Sequence, residues 1–386
     1  RAIRDVYKRQ GLVMVYSASM VPATKGTLTG GIDVPGTYFY NRQLAYVIMS
    51  FIIVFFIAFL MNVKLLSNIK VQKGMIITIV SLLLLTLVIG KDINGSKSWI
   101  NLGFMNLQAS ELLKIAIILY IPFMISKKMP RVLSKPKLIL SPIVLALGCT
   151  FLVFLQKDVG QTLLILIILV AIIFYSGIGV NKVLRFGIPA VLGFLVVFVI
   201  ALMAGWLPSY LTARFSTLTD PFQFESGTGY HISNSLLAIG NGGVFGKGLG
   251  NSAMKLGYLP EPHTDFIFAI ICEELGLIGG LLVITLEFFI VYRAFQFANK
   301  TSSYFYKLVC VGIATYFGSQ TFVNIGGISA TIPLTGVPLP FISFGGSSMI
   351  SLSIAMGLLL IVGKQIKVDQ QRKKQQQKVD IRRQFN

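Results

Sequence analysis

Across 386 residues, hydrophobic side chains fill 54% of positions and charged ones only 12%, about half the charged share of an ordinary soluble domain. That composition excludes a water-soluble globular chain and points to repeated passage through lipid. The formal net charge of +20 calls for no nucleic-acid partner, because the lysines and arginines gather in short connections between apolar runs and in the tail, as they do on the cytoplasmic side of membrane proteins.

Arg1 to Gln10 is a charged decapeptide without pattern, read as a non-native or disordered N-terminal segment. It stands directly before an apolar run at 11–22 that is short for a span, as if its upstream half were missing or replaced. Further apolar runs, long enough or nearly long enough to cross a bilayer, fall at 43–60, 74–89, 107–126, 138–155, 160–176, 186–204, 266–292, 304–322 and 341–362. The fold class expected is all-α: a polytopic integral membrane protein of about ten transmembrane helices occupying 11–363.

Charge sets the orientation. Lysine and arginine number 21 in the connections 61–73, 127–137, 177–185 and 293–307 and the tail 364–386, against 8 in the opposite set. The positive-inside rule puts the basic connections and both termini in the cytoplasm. The 59-residue stretch 205–263, between the seventh and eighth runs, then faces outward. A connection that long is uncommon unless it carries function. The tail, rich in glutamine and basic residues, reads as a disordered segment beside anionic lipid.

Charges within apolar runs come next. Glu111 and Lys114 are three apart, so a helix puts them on one face where each satisfies the other. Two readings stay open: an ion pair that holds helices together, or one that shapes a polar cavity leading to an active site. Glu287 reads as interfacial, near the cytoplasmic end of its span. Asp265 lies where a polar loop meets the run at 266–292, and pattern alone divides evenly between a helix cap and a catalytic carboxylate. The glycine-rich stretch Asn241 to Ser252 admits positive φ and close backbone approach, serving either a ligand or tight structural packing. Lys247, Lys255 and Arg214 place three positive charges on this loop, suited to an anionic headgroup or a diphosphate.

The order of motifs now carries a resemblance. Gly11 to Ser19, Gln108 to Lys114, Gly240 to Gly243, Leu259 to Phe268, Pro333 to Phe341 and Gly345 to Ser348 together resemble the SEDS family (shape, elongation, division and sporulation) over residues 11–363. Asn324 to Gly327 is similar to the family's division-type branch. The resemblance implies a peptidoglycan glycosyltransferase that polymerises lipid II at the outer face of the bacterial plasma membrane, at the division septum. It implies Asp265 as the essential aspartate and Glu111 with Lys114 as a supporting ion pair. It also implies partnership with a class B penicillin-binding protein, a transpeptidase, and with other divisome proteins. The chain departs from the family pattern in having Ala109 where proline is common, Ser98 beside Trp99 where arginine is common, and Lys157 in place of proline.

The chemistry follows from elementary needs. The 4-hydroxyl of an acceptor sugar must attack the anomeric carbon of a donor carrying a lipid diphosphate, and a carboxylate within reach takes its proton as general base. Asp265 is assigned that role. The leaving diphosphate needs its charge offset, and Lys97, Trp99, Arg214, Lys247, Lys255 and His263 are the substrate-binding candidates. Mg2+ or Mn2+ held between a carboxylate and the diphosphate is the alternative source of positive charge, although only Glu261 adds a carboxylate near Asp265. Two readings of other classes remain beside the polymerase: a lipid II flippase or transporter, and a noncatalytic divisome scaffold.

Overall fold

The structure, a computed structural model, describes residues 2–29, 31–93, 95–132, 138, 140–178, 193, 196, 200, 218, 220–224, 227 and 229–384. Apolar runs become helices because lipid offers backbone N–H and C=O groups no partner, so each segment must satisfy its own. In chain order the elements are α1 (Ala2–Thr24), α2 (Tyr38–Phe55, continued by a π-helical turn Phe56–Leu60), α3 (Val63–Leu66), α4 (Ile69–Ile89), β1 (Lys91–Ile93), β2 (Ser96–Asn101), β3 (Asn106–Gln108), α5 (Ala109–Val132), α6 (Leu140–Leu155), α7 (Val159–Tyr175), α8 (Tyr230–Asn241), α9 (Ile267–Lys300), α10 (Tyr304–Ile328) and α11 (Gly346–Gln384).

Among the described residues, six helices are long and apolar enough to cross a membrane: Tyr38–Leu60, α4, Ala109–Lys128 in α5, α9, α10 and Gly346–Gln377 in α11. Gly11–Thr24, α6 and α7 are shorter apolar helices. The run expected at 186–204 and the beginning of the 205–263 stretch lie almost wholly outside the described residues. Of their apolar stretches, 78% is buried in α5 and 72% in both α10 and α11, against 33% in α2 and 28% in α4. The first three therefore form the centre of the bundle, with α2 and α4 at its lipid-facing rim.

Beside the all-α bundle, β1, β2 and β3 form a small antiparallel sheet in that order, with Trp99 opposite both Lys91 and Gln108. Burial alternates across Ser98, Trp99 and Ile100, the period of a strand, and no helix-length apolar run competes with it there. The tail expected as disordered continues α11 as helix to Gln384, since no glycine or proline follows Gly363 and lysine, arginine and glutamine are good helix formers; Gln365 also donates to Asp369 one turn on, at 3.1 Å. Residues 2–10 are likewise helical and continuous with the rest of α1. The final helix starts at Gly346 instead of 341, because Pro338, Pro340 and the left-handed Phe341 (φ 57°) hold 333–345 as a loop.

The 34-residue helix α9 is broken at Gly276, which has φ 68° and ψ −165°. A break frees carbonyls before it and N–H groups after it. The glycine-rich loop replaces the missing partners: the Lys247 and Gly248 amides donate to the Glu273 and Glu274 carbonyls, both at 3.0 Å, and the Leu277 and Ile278 amides donate to the Gly243 and Val244 carbonyls at 2.9 and 3.4 Å. Main chains approach so closely that a Cβ at Gly246 would collide with the Glu274 carbonyl, and one at Gly276 with the Val244 carbonyl. Here the glycines serve packing of backbone on backbone.

Gly246→Ala should therefore lower the thermal unfolding midpoint of the purified protein markedly, with a cost of at least about 2 kcal/mol from collision and positive-φ strain. Gly240→Ala is the control. Its Cβ would meet nothing within 4 Å, and its position in α8 favours alanine, so its midpoint should stay level or rise. Equal midpoints for the two variants would contradict this account of the loop.

Candidate active site

Asp265 ends a run of turns, Glu261 to Phe266, that delivers the chain into α9. Phe266 occupies the N-cap of α9 and its side chain makes no capping hydrogen bond, so Asp265 stands one residue outside the helix. The residue is half-buried at the N-terminal end of α9.

The turn is held by its own carbonyls. His263 C=O accepts from the Phe344 amide at 2.9 Å, Thr264 C=O from Ser343 Oγ at 2.7 Å, and Asp265 C=O from Asn324 Nδ2 at 2.9 Å. Three consecutive residues are thus tethered to α10 and to the loop 333–345. That loop also runs against the carboxylate itself: Gly336 adopts φ +70°, and a Cβ there would come within 3.4 Å of Asp265 Oδ2. Any side chain at 336 would narrow the approach to the carboxylate.

His263 is enclosed. Its ring is 3% exposed and packs in an aromatic clasp, with ring centroids 4.4 Å from Phe39 and 5.3 Å from Phe344. Burial lowers its pKa from 6.5 to about 3, so it is neutral in the folded protein near neutral pH. Among the substrate-binding candidates it is a packing residue by geometry.

Deeper in the bundle, Glu111 and Lys114 are both fully buried and form the pair read from their spacing, at 2.8 Å. Glu111 Oε1 also accepts from Gln161 Nε2 at 3.0 Å, and its Oε2 accepts from Tyr316 OH at 2.9 Å and Ser351 Oγ at 2.6 Å. Lys114 Nζ donates to Gln320 Oε1 at 3.2 Å and lies 4.5 Å from the centre of the Tyr316 ring. The pair therefore binds α5 to α7, α10 and α11. It also leads outward, because Gln320 Nε2 donates to the Pro338 carbonyl at 2.9 Å, in the loop that borders Asp265.

The sheet joins the same assembly from the side. Gln108, paired across the strands with Trp99, donates to Asp158 Oδ2 at 2.8 Å. Asp158 caps α7 through Oδ1, and a Cβ at Gly160 in the first turn of α7 would meet the Thr335 carbonyl at 3.0 Å. Lys97 turns elsewhere, donating through Nζ to the Val88 carbonyl near the end of α4. Arg214 lies outside the described residues.

Lys247 and Lys255 bind carboxylates of this chain that sequence reading passed over. Lys247 Nζ meets Glu273 Oε1 at 3.0 Å, and Lys255 Nζ meets Glu274 Oε1 at 2.7 Å. Both glutamates are fully buried in α9. Ser252 Oγ and the Ala253 and Met254 amides complete the shell of Glu273, while Ser17 Oγ of α1 lies 2.7 Å from Glu274 Oε1. Lys255, 4% exposed, also donates to Ser17 and to the Gly250 carbonyl, so its ammonium is enclosed. Two adjacent carboxylates in an apolar run after two loop lysines were the available signal. Glu287 is buried against the bundle as well.

The donor set does not make a metal site: among the described residues, no three His, Cys, Asp or Glu side chains come together to hold an ion.

Residues 3–368 match the FtsW/RodA/SpoVE family, cell cycle protein. The chain belongs to that family. Among its relatives, the probable peptidoglycan glycosyltransferase FtsW of Bacillus subtilis (strain 168) is 37% identical over 368 residues, covering 95% of this chain and 90% of the relative. Stage V sporulation protein E of the same organism is 36% identical, covering 92% and 93%. Solved structures share the fold. A chain of a peptidoglycan synthase complex that coordinates polymerization and crosslinking superposes with TM-score 0.68 at 24% identity, over 92% of this chain and 97% of that one. The rod shape determining protein RodA of Thermus thermophilus gives 0.64 at 24% identity, over 94% of each chain.

The buried histidine gives this family member an acid sensitivity with a definite sign. Its folded pKa is depressed, so the stability it contributes is complete above the unfolded value of 6.5 and falls as pH drops from there toward 3, by up to about 1.4 kcal/mol per pH unit. His263→Phe keeps the aromatic packing and removes the titration. Thermal midpoints taken from pH 7 to pH 4 should fall less steeply in the variant, and parallel curves would contradict the buried neutral ring.

Proposed function

We infer that this chain is a peptidoglycan glycosyltransferase of a bacterial membrane, polymerising lipid II into glycan strands, with Asp265 as the general base. The observation that carries the assignment of the base is the tethering of three successive carbonyls at 263–265 beside a half-buried carboxylate. Catalysis needs such a group held in place before substrate arrives. Asp265 takes the proton of the acceptor 4-hydroxyl as its oxygen bonds to the anomeric carbon. The bond from that carbon to the lipid diphosphate breaks, and the diphosphate leaves with the electron pair.

Lys255 is committed to Glu274, so charge offset for the leaving diphosphate falls to Lys247, whose side chain is 37% exposed, to Arg214, or to Mg2+ or Mn2+ brought with the diphosphate. In this reading the chain has ten spans, with termini in the cytoplasm and 205–263 outside. It acts at the septum with a class B penicillin-binding protein and other divisome proteins. The transport reading gains one observation, the break in α9, since transporters place substrates at broken helices. The chain's own loop fills that break, main chain to main chain, which leaves the polymerase reading better supported.

The test uses full-length protein in proteoliposomes, supplied with lipid II and a β-lactam to block crosslinking. The unmodified protein should make long glycan chains. Asp265→Asn should accumulate normally, keep its thermal midpoint, and polymerise at least about 100-fold more slowly, the scale of a lost general base. Normal polymer from Asp265→Asn would remove the base assignment, and lipid II crossing the bilayer with no glycan formed by the unmodified protein would favour transport.

A further inference from the structure

Two amide side chains one turn apart on α10, Gln320 and Asn324, are buried at 0% and 3% exposure and face the same way. They hold consecutive carbonyls of one loop. Gln320 Nε2 donates to Pro338 C=O at 2.9 Å, and Asn324 Nδ2 donates to Val337 C=O at 2.8 Å and to Asp265 C=O at 2.9 Å. Their orientations are fixed by chemistry: the Lys114 ammonium only donates, so it requires Gln320 Oε1, and two carbonyls only accept, so they require the NH2 of Asn324.

We propose that Gln320 and Asn324 are positioning residues for Asp265, forming an amide ladder that joins the buried Glu111–Lys114 pair to the turn bearing the carboxylate. The proposal rests on the assignment of Asp265 as base. The lower rung takes its bearing from Lys114 and fixes Pro338. The upper rung fixes Val337 and the backbone of Asp265 together. Gly336, the neighbour of Val337, abuts Asp265 Oδ2, so one pair of bonds sets both the carboxylate and the wall beside it. Loss of a rung lets loop and turn separate, and a displacement near 1 Å at a reacting group costs about 100-fold in rate. Neither amide is offered as a contact to the lipid or the sugar, so the effect belongs to turnover more than to binding.

The test measures kcat, half-saturating lipid II and thermal midpoint for the full chain in proteoliposomes, with Asp265→Asn alongside. Asn324→Ala should lower kcat by about 30- to 100-fold, with half-saturating lipid II within about twofold. Gln320→Ala, which leaves Lys114 its bond to Glu111, should lower kcat about tenfold. The double variant should be little worse than Asn324→Ala, because both rungs serve one loop. Unchanged kcat per folded molecule, with only midpoint or yield reduced, would overturn the proposal and mark the amides as merely structural. Where Asn324→Ala does not accumulate, Asn324→Ser and Gln320→Ala carry the same comparison. An inactive Asp265→Asn beside a fully active Asn324→Ala sinks the ladder alone, whereas an active Asp265→Asn sinks the base assignment and the ladder with it.

Discussion

Three carboxylates buried in the helical bundle, Glu111, Glu273 and Glu274, have no exposed surface, and each is met by a lysine within 3.0 Å. An unpaired carboxylate in such surroundings costs several kcal/mol, and breaking a pair by removing one partner costs about 3–5 kcal/mol. These pairs consequently decide which helices and loops must be adjacent. Glu111 with Lys114 gathers α5, α7, α10 and α11 at the centre, and the two α9 glutamates draw in the glycine-rich loop and α1.

Asp265 sits between these two clusters. Below it, α9 is secured two turns on by Glu273 and Glu274 and by the backbone bonds that fill the break at Gly276. Beside it, the loop 333–345 is hung from α10, and α10 is tied to the central ion pair through Gln320. A carboxylate that acts as a base must remain reachable by substrate, so it cannot itself be sealed into the packing. The proposed base meets this condition: the carbonyls of residues 263–265 are bound, while residue 265 stays half-buried. Positive charge in the glycine-rich loop is correspondingly committed. Lys255 serves Glu274, and the density of basic residues there overstates what is open to a diphosphate.

Much of the fold was legible in the sequence, because apolar runs of bilayer length admit helices and little else. Glu111 and Lys114 were legible for a local reason, a spacing of three on one helix face. Asp265 could be singled out at a loop–helix boundary, where the structure adds Phe266 at the N-cap position and the tethers on the carbonyls of residues 263–265. The pairing of Glu273 and Glu274 was hidden by distance along the chain: Lys247 is 26 residues from Glu273, and Ser17 is 257 from Glu274. The sheet at 91–108 escaped because strands of three, six and three residues are too short to show a period. The glycines of Asn241 to Ser252 pointed correctly to close backbone approach, and α9 is the element that approaches them.

Family membership and the tethered carboxylate meet in one geometric claim, that the acceptor sugar binds with its 4-hydroxyl against residue 265. A structure of the Asp265→Asn protein with lipid II bound measures this directly. The account predicts that the 4-hydroxyl lies about 2.6–3.2 Å from the residue 265 side chain, alongside Gly336, with the carbonyls of 263–265 still bound to Phe344, Ser343 and Asn324. An acceptor hydroxyl placed well beyond hydrogen-bonding reach of residue 265, and directed at another ionisable group, would contradict it.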